Sequence, residues 1–270
     1  MKKVYIDVDL EGCAGVSSWP ETHYGEKGYD LAVREMTQEA IAACEGAMAS
    51  GCSVVLKDAH EDGMNIDPSQ LPEGVEIIRS WDSSPEEMMA GIDETFAAAI
   101  HIGYHSPAGS SETPLDHTVE HDWYSWVKLN GDLASEFSFN WLCGASYGVP
   151  SVFLSGDAGI CRRAAAACPG IVTYATKKGR GSATWSKHPD DVFAGIKQGV
   201  TDALQKLARG AIKLPDLPDT FTVEFCFSSA GRARAAAFYP GAEAIDERRV
   251  RYTAKSVQEL LVAKMFMTEI

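Results

Sequence analysis

Residues 4–12 read Val4-Tyr5-Ile6-Asp7-Val8-Asp9-Leu10-Glu11-Gly12. Apolar and polar side chains alternate as far as Val8, and the chain then runs into carboxylates and a glycine, the pattern of a strand leaving its sheet through a turn. Downstream, residues 29–50 carry Leu31, Met36, Ala40, Ile41, Cys44, Ala47 and Met48 at helical spacing and close on Gly51, which predicts an amphipathic helix. A short apolar run at 53–56 follows and ends in Lys57-Asp58-Ala59-His60. The alternation continues with strands at 75–78, 97–104, 124–129, 151–154 and 171–176 and helices starting at Pro85 and spanning 133–147, 157–167 and 189–208. Strands separated by helices of this length require right-handed crossovers, so the fold class is α/β, a mainly parallel sheet with helices on both faces. Pro215 and Pro218 flank a linker to a strand at 220–227, an Ala-rich helix near 229–238, a strand near 248–253 and a helix from Ser256. This divides the chain into an α/β metal-binding catalytic region at 1–214 and a smaller C-terminal α+β unit at 215–270, within one domain or beside it.

Composition narrows the function. With 24 Lys and Arg against 38 Asp and Glu among 270 residues, the net charge is −14, which disfavours a nucleic acid partner and an anionic membrane surface. No apolar run is long enough to span a bilayer and no signal-peptide core follows Met1, so the chain reads as cytoplasmic. The 7 cysteines include no C-x-x-C pair, which argues against a disulfide framework and a structural zinc knuckle; they read as small buried side chains.

The chemistry gathers at strand ends. Asp9 and Glu11, His60, His105 and Asp157 each fall at the carboxyl end of a different expected parallel strand, where ligands of such sheets bind. Asp7, Asp9, Glu11 and Asp58 near two histidines call for a cation, because a buried unpartnered carboxylate costs several kcal/mol. Carboxylates and imidazoles without a thiolate suit zinc, manganese or cobalt. Taken singly, each of these residues is also an ordinary polar group of a loop.

Three motifs compete with that reading. His117-Thr118-Val119-Glu120-His121 fits H-x-x-E-H, yet Pro114 upstream and the β-branched Thr118 and Val119 favour a strand or loop over the helix this zinc signature needs. Gly144-Ala145-Ser146-Tyr147-Gly148 fits G-x-S-x-G, but here a helix enters and a strand leaves, the reverse of a nucleophile elbow, so the glycines read as a helix end. Gly179-Arg180-Gly181-Ser182, after Lys177 and Lys178, reads as a mobile basic loop. Trp81, Trp123, Trp126 and Trp141 are assigned to packing.

The ordered series Val8-Asp9-Leu10-Glu11-Gly12, Asp58-Ala59-His60, Gly103-Tyr104-His105, His117, Glu136 after Asn130-Gly131, and Val149-Pro150 through Ser155-Gly156-Asp157 resembles the DppA-type D-aminopeptidases, binuclear zinc enzymes, over nearly the whole chain. The resemblance implies that Asp9, Glu11, His60, His105 and Glu136 ligate two zinc ions with Asp9 as the bridge, and that His117 is the catalytic histidine. It implies a short peptide substrate with an N-terminal D-residue, metal-assisted hydrolysis and a homo-oligomer, a decamer. Asp7 departs from the family's opening, which has Ser there; it shares a strand face with Asp9 and so adds a carboxylate near the metals. Other metal-dependent amidases or phosphoesterases, and a non-catalytic metal-stabilised oligomeric binding protein, stay open beside this reading. The scarcity of Lys and Arg near the expected ligands counts against a phosphate substrate.

Overall fold

The structure is a computed structural model and describes residues 1–268. From the N-terminus, β1 (Lys2–Val8), α1 (Tyr29–Ala49), β2 (Cys52–Asp58), β3 (Glu76–Ile78) and β4 (Phe96–Tyr104) follow one another. Then come β5 (Tyr124–Leu129), β6 (Asp132–Leu133), α2 (Glu136–Ser146), β7 (Ser151–Asp157) and α3 (Ala158–Ala167). β8 (Val172–Arg180), β9 (Ala183–Ser186), α4 (Pro189–Ala208) and β10 (Phe221–Phe227) lead to α5 (Ala230–Ala236), β11 (Glu243–Ala244), β12 (Arg249–Ala254) and α6 (Val257–Thr268).

A seven-stranded sheet runs β3-β2-β1-β4-β7-β8-β9, parallel except for the hairpin partner β9. The chain builds outward from β1 to β2 and β3 on one side, then crosses to β4, β7 and β8 on the other. The switch point between β1 and β4 is where such a sheet opens a crevice at its strand ends. β1 is buried on both faces: Val4, Ile6 and Val8 pack with Met36, Ala40 and Cys44 of α1 and Ile196 and Val200 of α4, whereas Tyr5 joins Phe96, Phe139, Phe225 and Leu260 on the other side. That second core is roofed by an antiparallel sheet of order β11-β12-β10-β5-β6 together with α2 and α6. The roofing sheet takes β5 and β6 from before residue 215 and β10 to β12 from after it, so strands from both parts of the sequence share one hydrogen-bonded ladder.

Two local expectations change. The helix expected from Pro85 is a single 3-10 turn at Glu87–Met89. Glu87 adopts φ 48, and the Tyr5 hydroxyl bonds to the carbonyls of Met88 (3.2 Å) and Ala90 (2.8 Å), acceptors that a continuing helix would need. The basic stretch around residue 180 is a β8–β9 hairpin that turns at Gly181 (φ 59). The G-x-S-x-G stretch is the end of α2, with Gly148 at φ 77. All seven cysteines are free thiols, and among the described residues no helix is long and apolar enough to cross a membrane.

The ends of β1 and β4 touch. Asp9 N donates to Ile102 O (2.8 Å) and Gly12 N to Gly103 O (2.7 Å). A Cβ on Gly12 would lie 1.9 Å from the Tyr104 carbonyl oxygen, and one on Gly103, at φ 73, would lie 2.0 Å from the Asp9 carbonyl oxygen. Neither obstacle is a flexible side chain, so both strand ends would have to separate. Gly12→Ala is therefore expected to cost about 2–3 kcal/mol, read as a lowered denaturant midpoint; an unchanged midpoint would contradict this close packing.

Candidate metal centre

Each functional side chain is delivered by the end of an element. Asp9 follows β1, and Glu11 lies in the turn that Gly12 closes. His60 follows β2 and His105 follows β4; Glu136 is the first residue of α2, whose N-cap Ser135 accepts a hydrogen bond from Ser138 N. His117 comes from the loop between β4 and β5. All six are buried, and Asp9, Glu11, His60, His117 and Glu136 line a cavity of about 470 Å³, with His105 stacked face to face on His117 at 3.9 Å between ring centroids.

The other acidic residues that the sequence singles out bond to protein groups outside the pocket. Asp58 accepts from Asn65 N (2.6 Å), Asn65 Nδ2 (2.9 Å) and Ile66 N (2.7 Å), and Asn65 Nδ2 also donates to His60 O (2.7 Å), so this carboxylate ties down the loop that carries His60. Asp157 caps α3 through Gly159 N and Ile160 N and accepts from Ser106 N and Oγ (both 2.6 Å), which fixes the residue after His105. Asp7, within β1, meets the His101 imidazole (2.8 Å) and the Tyr104 hydroxyl (2.5 Å) of β4. None of the three lines the cavity; backbone and side-chain donors reached them first.

The remaining carboxylates crowd the imidazoles. Asp9 faces one histidine with each oxygen, Oδ1 lying 3.3 Å from His60 Nδ1 and Oδ2 3.4 Å from His105 Nε2. Glu11 Oε2 is 3.1 Å from His60 Nδ1, and Glu136 Oε2 is 3.2 Å from His105 Nε2. Each ring is held from behind by a main-chain acceptor: His60 Nε2 donates to Thr22 O (2.7 Å), His105 Nδ1 to Ser106 O (3.1 Å) and His117 Nδ1 to Leu115 O (2.9 Å). The far nitrogen thus keeps its proton and the near nitrogen is aimed at the carboxylates, the tautomer control common around bound metals.

Proton affinities in this pocket are strongly perturbed. Burial, then repulsion from Glu11, pushes Asp9 up to about 8. Burial also opposes ionisation of Glu136, but the adjacent His105 overrides it and holds this carboxyl down near 2. Burial disfavours a charged His105, yet Glu136 and Asp9 bring it up to about 10, and Glu11 and Asp9 likewise hold His60 well above its usual range. His117 goes the other way, to about 4, through burial and the neighbouring His105. Asp9 Oδ2 and Glu11 Oε2 are sealed from solvent without a hydrogen-bond partner. Asp9–Glu11–His60 and Asp9–His105–Glu136 each bring three ligand atoms within 4.8 Å of one another, as do Glu11–His105–His117. Such a set fits a divalent cation of the oxygen- and imidazole-binding kind.

The H-x-x-E-H segment is a turn rather than a helix, with Val119 at φ 68. His121 stacks on Trp19 (4.4 Å), whose ring edge also meets His117 (5.2 Å). The cavity wall includes Trp81 and Trp123, read as packing, and Trp19, which had no sequence signal. Positive charge is closer than the sequence suggested: Lys264, ion-paired with Glu87, lines the cavity, and Lys177 binds the backbone of Glu11.

A sequence profile of the Peptidase_M55 family, described as D-aminopeptidase, matches residues 1–266. A D-aminopeptidase of Bacillus subtilis (strain 168) is 28% identical over 275 residues, covering 99% of this chain and 97% of the relative. The solved structure of the Zn-dependent D-aminopeptidase DppA from Bacillus subtilis, described as a self-compartmentalizing protease, matches with a TM-score of 0.91 at 27% identity, over 99% of this chain and 97% of that one. With the buried carboxylate–imidazole pocket at the switch point of the sheet, these likenesses define a metal-dependent hydrolase. Within that class the chain belongs to the Peptidase_M55 family of D-aminopeptidases.

A cation entering this pocket must displace protons from His60, His105 and Asp9, groups whose proton affinity is raised in its absence. Affinity for a divalent cation is therefore expected to rise with pH between about 6 and 9. Calorimetric titration in buffers of different ionisation enthalpy reads the protons released; a pH-independent affinity would contradict the assignment.

Proposed function

We propose that this chain is a binuclear zinc aminopeptidase that removes the N-terminal D-residue of short peptides. The observation that carries the reading is the position of Asp9, which offers one oxygen to the Glu11–His60 side of the pocket and the other to the His105–Glu136 side. A carboxylate so placed could serve both sides of the pocket, where Glu11 and His60 would hold one ion and His105 and Glu136 would hold the other. The zinc dependence of the Bacillus DppA structure supports the choice of metal.

When bound, zinc supplies Lewis acidity that activates water and polarises the scissile carbonyl. The protein supplies orientation and proton handling. His117 commits its Nδ1 proton to Leu115 O. Nε2 is therefore a free acceptor, 3.6 Å from Glu136 Oε1, able to take a proton and hand it to the leaving amine. Glu61, Asp82 and Glu120, which line the cavity beyond the ligand set, attract the positively charged amino terminus that distinguishes an aminopeptidase substrate. Burial of the pocket walls strengthens each of these interactions relative to water.

The same cluster favours a second reading in which His117 is itself a ligand beside Glu11 and His105. Two substitutions separate them. His117→Ala is expected to retain bound metal and lose activity by about 10²-fold or more, as expected for a lost proton carrier, whereas His60→Ala should lose metal. Elemental analysis with hydrolysis of D-alanyl and L-alanyl p-nitroanilide reads both, and equal metal loss in the two variants would make His117 a ligand.

The self-compartmentalizing description of the Bacillus structure, together with exposed Tyr24, Leu31, Trp185, Phe238 and Phe266, supports a homo-oligomer here, which we take to be a decamer. Seven unpaired thiols fit a cytoplasmic location. A monomeric mass by light scattering would overturn the assembly.

A further inference from the structure

Behind the turn that carries Asp9 and Glu11, β8 presents a buried cation that hydrolysis does not use. Lys177 is 3% exposed, and its ammonium donates to the main-chain carbonyls of Glu11 and Val16. Glu11, Glu39 and Asp157 influence its charge only through space, and burial lowers its pKa. An ammonium buried among carbonyls is a costly element unless its donors are needed there. The preceding residue serves the same turn. Thr176 Oγ1 lies 2.6 Å from Gly12 O and 3.0 Å from Gly156 O and donates to one at a time.

Neighbouring residues of a regular strand point to opposite faces. Thr176 and Lys177 both reach the turn because the β7–β8 register slips between Gly156 and Asp157: Gly156 pairs with Ala175, Asp157 with Lys177, and Thr176 is the extra residue. A bulge of this kind re-aims side chains beside a site. From the opposite side, Glu39 of α1 accepts from Ala14 N at 2.7 Å. The turn that follows the Glu11 side chain is thus anchored to two separate elements, β8 through the carbonyls of residues 11, 12 and 16 and α1 through Ala14 N.

We propose that Thr176 and Lys177 are positioning residues that set the affinity of the centre for its divalent cation. They fix the carbonyls of residues 11, 12 and 16, so that the Glu11 carboxylate and its unpartnered oxygen keep their aim toward His60 and Asp9. Neither side chain touches the cation. This rests on the reading of Asp9, Glu11 and His60 as metal ligands.

The test measures Zn²⁺ affinity of the metal-free full chain by competition with a chromophoric chelator, with the thermal midpoint of the metal-free protein recorded alongside. Lys177→Met is expected to weaken binding by about ten- to a hundredfold, the range for lost outer partners of a metal ligand, and to raise the zinc concentration for half-maximal activity in parallel. Thr176→Val should weaken binding by a smaller factor, and Thr176→Ser, which keeps the hydroxyl, should restore it. If Lys177→Met does not fold, the Thr176 pair decides. Wild-type affinity in the folded variants, with only a lowered thermal midpoint, would overturn the proposal, and absence of zinc binding by the wild type would overturn the ligand reading beneath it.

Discussion

Charge balance in a closed space governs this molecule. Three carboxylates, from Asp9, Glu11 and Glu136, are buried within about 3.1–3.4 Å of imidazole nitrogens, and two of their oxygens lack any hydrogen-bond partner. In low dielectric such a cluster is held together only by positive charge placed among its members, supplied by protons on His60 and His105 or by a metal. Folding assembles the ends of β1, β2 and β4 and the start of α2 at one point, and the charge requirement then decides which ligand that point accepts. The glycines where β1 meets β4 allow the approach, since any side chain there would hold the strand ends apart.

The contrast with the acids nearby is instructive. Asp58 and Asp157 are as deeply buried as Asp9, yet each is satisfied by protein donors and acts as a structural tie. Burial of a carboxylate therefore does not by itself mark a metal ligand. What separates the two groups is the kind of partner: main-chain amides converge on Asp58 and Asp157, whereas Asp9 and Glu11 meet imidazoles whose far nitrogens are tied to main-chain carbonyls.

Much of this was legible before any coordinates. Alternating strands and helices announced the parallel sheet, and strand-end placement singled out Asp9, Glu11, His60 and His105. Glu136 was accessible only through family resemblance, because a glutamate opening a helix has an ordinary role in complementing the helix dipole. The antiparallel sheet joining β5 to β10 escaped notice, since pairing partners 90 or more residues apart leave no trace in local periodicity. Lys177 was hidden for a different reason: a register slip in β8 turns a residue that reads as part of a basic loop toward the interior. Trp19 needs a folded loop before its contact with His117 exists.

The acceptors that hold His60, His105 and His117 from behind are the carbonyls of Thr22, Ser106 and Leu115, all main-chain atoms. A substitution at any of these positions changes a side chain and leaves the acceptor in place. The orientation of the three imidazoles is thereby inherited with the path of the backbone and insulated from drift in the residues around it. A lineage built this way is free to remodel its pocket walls, and with them the substrates it accepts, without re-inventing the geometry of its donors, which accords with a shared fold at 27% identity.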